Sequence, residues 1–318
     1  MADAPLQPDF IPDYPRLCLL NTVSEHIGCH LSSDVWPLSS DLCTLVIMCL
    51  VVLGIGVRSD YPLVLAANRD EFFQRPTSSA GFWSESPEVL AGRDELSKGA
   101  WTGINRSGRL AVVTNIRDPR MFRQSAQSRG HLVRDFLEQG SSPESFVQGL
   151  ISSAHAHNAF NLLFGSGADL YVFSSPGKRL CRLGPGIHGL SNSLPNEPWP
   201  KVEGAKQGLR RILTKTEAPG FEELFSLLAD TREADPERLP HTGVSPEWER
   251  FLSPVFIRGK YYGTRSSTLI LLDRQGGLHF RERTFTADDH SRGAPHTWSA
   301  PEAKYSITPR LPPEAKTS

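Results

Sequence analysis

The chain has 318 residues, 34 basic and 35 acidic, for a net charge of -1, with 39% hydrophobic and 22% charged residues. That length holds one large or two ordinary domains, and the composition is that of a globular chain rather than a low-complexity or fibrous one. The near-neutral balance excludes a global field that would draw in nucleic acid or an anionic membrane, leaving Arg117, Arg120, Arg123 and Arg129 as candidate local anion sites.

Residues 1–41 are rich in Pro, Ser and Asp without periodicity and read as poorly ordered, and 1–47 as a whole reads as a leader. Either Met48 is the biological start, or the leader is a propeptide cut ahead of Cys49. Both give Cys49 a free α-amine. The apolar run from Leu42 to Val57 is 16 residues long and holds one hydroxyl, Thr44. It falls just short of the roughly 17 to 25 residues that span a bilayer, and no basic signal-peptide region precedes it. No stable membrane anchor is expected.

The five cysteines (Cys18, Cys29, Cys43, Cys49 and Cys181) form no C-x-x-C pair, which argues against a zinc ribbon or a disulfide framework and fits a reducing, cytoplasmic setting. The ten histidines show no H-x-x-x-H or H-E-x-x-H spacing, and His155 and His157 point to different faces of a helix, so no metal site is suggested.

Two apolar strands, Met48 to Val57 and Leu63 to Ala67, flank a turn at Arg58 to Pro62, and the second runs into Asn68-Arg69-Asp70-Glu71. Antiparallel pairing brings Cys49 close to Arg69 and Asp70. A polar segment with Phe82-Trp83 and Leu90-Ala-Gly-Arg93 follows, then a hairpin with Gly108 at its tip whose second strand ends at Asn115. A helix is predicted from near Ser128, burying Leu132, Val133, Phe136 and Leu137. A second, with Ser142 as N-cap and Pro143 at N1, buries Phe146, Val147, Leu150 and Ile151. The period then returns to two: short strands at Phe160 to Gly165, Leu170 to Ser174 and Arg179 to Leu183 precede Ile187 to Asn192.

Helices around Lys201 to Lys215 and Phe221 to Asp230 come next, then a Pro-rich loop and a short helical turn at Glu247 to Leu252. Three strands close the domain: Val255 to Arg258, Thr264 to Asp273 and Gly277 to Phe285, with a Gly276-Gly277 hairpin. Beyond Thr286 the sequence reads as a loose polar tail, which makes 48–285 one domain. Strands and helices grouped in this way give an α+β fold, two antiparallel sheets with helices outside, and not a doubly wound one.

A cysteine that becomes N-terminal carries its own base, because an α-amine titrates near 8. Arg69 would lower the thiol's pKa and Asp70 would hold the amine. The bland alternative is a small buried residue at the start of a strand. Asn68, Arg69, Asp70 and Glu71 read as a ligand-binding cleft or as a solvated turn, and Phe72-Phe73 behind them favours packing against the core. Asn115 and Asn192 end apolar strands, where their amides can serve an oxyanion or simply form turns. Arg265 begins a strand and points into a cleft or into solvent.

Taken together, Ala66-Ala-Asn-Arg-Asp-Glu-Phe72, Trp101-Thr-Gly-Ile-Asn105, Leu110 to Asn115, Ser128-Arg-Gly130, Phe160-Asn-Leu-Leu163, Gly189-Leu-Ser-Asn192, Pro198-Trp-Pro-Lys201 and Tyr262 to Thr268 resemble the NRDE (transport and Golgi organisation) family, in order, across 48–285. The resemblance implies a four-layer αββα sandwich like that of N-terminal-nucleophile hydrolases. Beside penicillin V acylase and bile-salt hydrolase, Cys49 falls at the nucleophile, Arg69 and Asp70 at the Arg and Asp behind it, Asn115 and Asn192 at the substrate and oxyanion asparagines, and Arg265 at a late arginine. The family is also linked to haem mobilisation and to lipid and acyl-CoA homeostasis.

Two functions are therefore expected. One is a carrier for haem or an acyl-CoA-like ligand, with His131, His188 and Cys49 as candidate axial groups and no cofactor required. The other is a hydrolase in which Cys49 attacks an amide or thioester. Oligomeric state is not set by the sequence.

Overall fold

The apolar residues from Cys49 to Ile55 lie in a strand buried on both faces, and the rest of the fold is built out from it. In the computed structural model, which describes residues 48–290 and 300–309, β1 (Met48–Ile55) turns Val51, Leu53 and Ile55 to one side and Leu50 and Val52 to the other. A strand covered on both faces carries apolar side chains without alternation, so its sequence is a continuous run. It pairs antiparallel with β2 (Leu63–Phe72) and with β10 (Gly186–Leu190).

β2 continues into β11 (Tyr262–Leu272), β12 (Leu278–Thr284) and β13 (Glu302–Ile307), completing a six-stranded antiparallel sheet in the order β10-β1-β2-β11-β12-β13. The second sheet has seven antiparallel strands in chain order: β3 (Thr77–Phe82), β4 (Val89–Asp94), β5 (Thr102–Asn105), β6 (Arg109–Asn115), β7 (Phe160–Ser166), β8 (Asp169–Ser174) and β9 (Arg179–Arg182). The two sheets face each other across Val51, Leu53, Leu65, Leu90, Ile104, Val112, Leu163 and Phe280.

Helices cover the outer faces. α1 (Gly130–Glu138) and α2 (Pro143–Ser153) lie on the seven-stranded sheet, with Leu132, Val133, Phe136 and Leu137 buried on the expected stripe. Ser142 caps α2 by accepting from the Ser145 N–H, with Pro143 at the first position, a cap typically worth about 1 kcal/mol. α3 (Pro200–Leu213) and α4 (Phe221–Leu228) lie on the six-stranded sheet, followed by the short α5 (Pro246–Phe251). The result is a four-layer αββα sandwich, the α+β architecture expected from the sequence.

Three local expectations change. Val255 to Arg258 is not a strand but a buried loop, whose Phe256 N–H donates to Asp230 O and whose Ile257 N–H donates to Thr264 Oγ1. Its apolar side chains fill the core, while its backbone is satisfied by a loop carbonyl and a hydroxyl instead of a ladder. The described residues beyond Thr286 are not a loose tail: α6 (Ala287–His290) packs down, and β13 pairs with β12, burying Ile307 and sending the Tyr305 hydroxyl to Ala80 O. The polar segment before the first hairpin contains β3 and β4, which Thr77-Ser-Ser-Ala-Gly-Phe82 disguises by lacking apolar alternation. The leader assigned to 1–47 lies outside the described residues.

Candidate functional site

The β1–β2 register sets Cys49 directly across from Arg69, and Met48 across from Asp70. Alternation along β2 then divides the four polar residues. Leu63, Leu65 and Ala67 face the other sheet and Val64 and Ala66 face the helices, so Arg69 and Glu71 join Cys49 between the sheets while Asn68 and Asp70 face the helices.

Between the sheets, Arg69 is 6% exposed; its Nη2 donates to Glu71 Oε2 at 3.3 Å and its guanidinium lies 4.3 Å over the Trp101 ring. Glu71 also accepts from the Phe72 N–H and stands 3.6 Å from Arg75 Nε. Cys49 is 7% exposed. Its thiol is pushed up to about 12, first by burial and then by the charges of Asp70 and Glu71, against which Arg69 and the Asp70 N–H pull only partly. Arg69 acts on the thiol in the expected direction, lowering it, but burial outweighs the single nearby cation and the net shift is upward.

On the helix side, Asp70 is fully buried. One oxygen, Oδ1, accepts from Thr264 Oγ1 at 2.6 Å, and Oδ2 has no hydrogen-bond partner among the described residues. Burial pushes this carboxyl up, opposed first by the charge of Lys201. Lys201, in the first turn of α3, is 4% exposed and donates to Leu252 O at 3.1 Å; burial pushes its ammonium down, opposed by the charge of Asp70. Lys201 was not among the site residues expected. Its position is legible all the same, because Lys201, Ala205, Gly208 and Ile212 fall on the buried stripe of α3, where a lysine has no reason to be except for its charge.

Asn68 serves the fold and not a ligand. Its Nδ2 donates to Leu228 O and Val255 O, both at 2.8 Å, and its Oδ1 accepts from Ser267 Oγ at 2.6 Å, tying β2 to α4 and the following loop. Placing it in the cleft is corrected by the strand's alternation.

Asn115 and Asn192 do come together near Cys49. Asn192 Nδ2 donates to Asn115 O at 3.0 Å, and Ser191 Oγ bridges Cys49 O at 3.0 Å and Asn192 Oδ1 at 3.1 Å. Arg265 is the extra residue of a β-bulge, since Thr264 pairs with Asp70 and Ser266 with Arg69. Its guanidinium clamps the loop after β2, donating to the carbonyls of Phe72, Phe73 and Arg75 and to Thr77 Oγ1.

The basic residues proposed from sequence as an anion cluster diverge. Arg117 forms a buried ion pair with Glu249 at 2.7 Å, Arg120 pairs with Asp118, and Arg123 holds the carbonyls of His155 and His157. Arg129 reaches the cleft at Cys49: it donates to Ala159 O at 3.2 Å, and burial lowers it to about 10 against the charges of Cys49 and Glu71. The histidines considered as haem ligands are engaged elsewhere, His131 Nε2 with Ser97 O at 2.7 Å and His188 Nε2 with Gly184 O at 2.8 Å. Among the described residues no helix is long and apolar enough to cross a membrane.

Fold and site define a class: an αββα sandwich with a buried cysteine facing an arginine at one end of its central strand pair. The family model described as Transport and Golgi organisation 2 matches residues 48–287, and the chain belongs to that family. The mouse Transport and Golgi organization 2 homolog is 33% identical over 276 residues, which cover 79% of this chain and 98% of that protein. Among solved structures, a Clostridium perfringens conjugated bile acid hydrolase mutant, C2A, aligns at 10% identity over 83% of this chain and 99% of its own, with a TM-score of 0.44. A Caenorhabditis elegans ortholog of N-acylethanolamine-hydrolyzing acid amidase aligns at 10% over 74% and 100%, with a TM-score of 0.42. At these scores the likeness carries no weight for activity or ligand.

Proposed function

We propose that the protein is a cytoplasmic carrier that binds a small ligand of the haem or acyl-CoA type in the cleft at Cys49 and Arg69. The observation that carries this reading is the state of Cys49 in the intact chain. Its nitrogen is a peptide nitrogen within β1, so it lacks the α-amine that would serve as its base, and its buried thiol is held far from ionisation. The charged groups around it, Arg69, Glu71 and Arg129, are suited to holding a ligand without attacking it. Titration of the full chain with haemin, followed by absorbance, and with a fluorescent acyl-CoA tests the reading. A Soret shift or saturable binding at micromolar protein is expected for one of them; absence of both overturns it.

A second reading, a cysteine hydrolase acting on an amide or thioester, draws support from Asp70. The register places Asp70 opposite Met48, and its Oδ2 is buried without a hydrogen-bond partner among the described residues. A cut between Met48 and Cys49 would create an ammonium beside that orphaned oxygen. Intact-mass measurement of the protein from its native host tests it: a chain beginning at Cys49 supports the hydrolase, and a chain retaining Met48 excludes this mechanism.

A further inference from the structure

A cavity of about 190 Å³ opens between the sheets beside Arg69, with Thr77, Trp101, Arg265, Ser266 and Phe285 on its walls. It is smaller than the roughly 300–1,000 Å³ of a pocket that takes a drug-sized ligand, and has room for one compact charged group.

Four donor atoms of the wall residues are buried and have no hydrogen-bond partner among the described residues: Arg69 Nη1, Trp101 Nε1, Arg265 Nε and Ser266 Oγ. Buried polar groups are nearly always paired, because an unmade bond leaves the group's lost hydration uncompensated. Unpaired donors gathered on one cavity wall therefore mark a place where an acceptor is missing. The bulge at Arg265 creates the cluster. Thr264 and Ser266, two residues apart, would share a face on a regular strand, yet Thr264 bonds Asp70 on the helix side while the register shift sets Ser266 opposite Arg69.

The electrostatics agree. Arg265 is bonded only to carbonyls and a hydroxyl and forms no ion pair among the described residues; Glu71 is the carboxylate that acts on its charge, against the like charge of Arg69. Arg69 has one carboxylate partner, Glu71, and reaches it through Nη2, not Nη1. Glu282, a buried carboxyl within reach of the Arg69 charge, is engaged by the Ala80 N–H and the Thr268 hydroxyl.

We infer that this pocket binds a compact oxyanion, a carboxylate or phosphate, through Arg69 Nη1, Arg265 Nε and Ser266 Oγ. It is the seat for the charged end of the ligand, and it rests on the carrier reading only for the identity of the rest of that molecule. Two nitrogen donors of guanidinium groups plus a hydroxyl match the acceptor geometry of either anion.

The test uses the full chain, with thermal unfolding measured in inorganic phosphate, in propionate and in chloride at equal ionic strength. Stabilisation by phosphate or by propionate over chloride is expected, and whichever acts more strongly identifies the anion class. Arg69→Gln should abolish the stabilisation and Ser266→Ala should weaken the affinity by about fivefold; the serine variant, a minimal change, keeps the test valid if the arginine variant fails to fold. No stabilisation by either anion, or equal stabilisation in wild type and Ser266→Ala, overturns the inference. A large ligand that binds both variants as tightly as wild type overturns it too, and leaves the carrier reading standing. Oxyanion binding without any large ligand upholds the pocket and counts against the carrier.

Discussion

Replacing Glu282 with glutamine should remove a pH dependence from the protein's stability. Glu282 lies 1% exposed between the sheets, where Oε1 accepts from the Ala80 N–H of β3 at 2.7 Å and Oε2 accepts from Thr268 Oγ1 of β11 at 3.1 Å, so one side chain links both sheets. Burial raises its carboxyl from 4.5 to about 7, opposed by these two hydrogen bonds and by the charge of Arg69. Below about pH 4.5 the group is protonated in both folded and unfolded chains. Between about 4.5 and 7 the unfolded chain loses the proton and the folded one keeps it, so stability falls as pH rises and is lowest above the folded pKa.

A shift of about 2.5 units corresponds to roughly 3 kcal/mol at most. Glutamine keeps both links, with its oxygen accepting from Ala80 and its amide donating to Thr268, and never ionises. Urea unfolding of both proteins at intervals from pH 4.5 to 8 should show near-equal stability at the acid end and an advantage for Glu282→Gln growing to about 3 kcal/mol at pH 8. The comparison must be made as a difference. His290, lowered to about 4 by burial, contributes the opposite slope between pH 4 and 6.5 in both proteins. A difference that stays constant with pH would refute the reasoning and mean that Glu282 ionises normally beside Arg69.

Other outcomes follow from the same contacts. Cys49, with its thiol pushed up to about 12, should react with iodoacetamide at pH 8 roughly 50-fold more slowly than glutathione, since far fewer thiolates are only partly offset by their greater nucleophilicity; peptide mapping should find the exposed Cys181 labelled before Cys49. Asn68→Ala breaks three buried hydrogen bonds and should cost about 3 kcal/mol in urea unfolding. In a chain that still folds, it should leave ligand affinity unchanged. Glu249→Ala leaves Arg117 buried and unpaired and should destabilise by about 3–5 kcal/mol, with most of that recovered in Arg117→Met combined with Glu249→Leu.

The order of layers was readable because each layer has its own period. Continuous apolar runs became strands covered on both faces, and the stripes of α1 and α2 appeared where Ser142-Pro143 and the spacing of Leu132 to Leu137 placed them. Cys49 beside Arg69 was readable for a similar reason, since a short turn fixes the register of the two strands it joins.

What the sequence hid depends on faces and distant partners. Alternation splits Asn68 from Arg69, yet nothing local says which of the two faces the cleft. The Arg265 bulge moves Ser266 across the sheet by one unpaired residue, a shift no pattern in Gly263-Thr-Arg-Ser-Ser-Thr268 announces. Arg117 and Arg129 look alike in sequence and differ because one meets Glu249, 132 residues away, and the other does not. The thiol's state followed from burial, which outweighed the cation chosen to lower it.

The most direct test of a cleft that holds a ligand without attacking it is ligand binding by the full chain with Cys49→Ser. Saturable binding of haemin or a fluorescent acyl-CoA by wild type, with a dissociation constant within about twofold in Cys49→Ser and no product detectable by mass spectrometry, is the expected result. Ligand turnover by wild type that disappears in Cys49→Ser would contradict it.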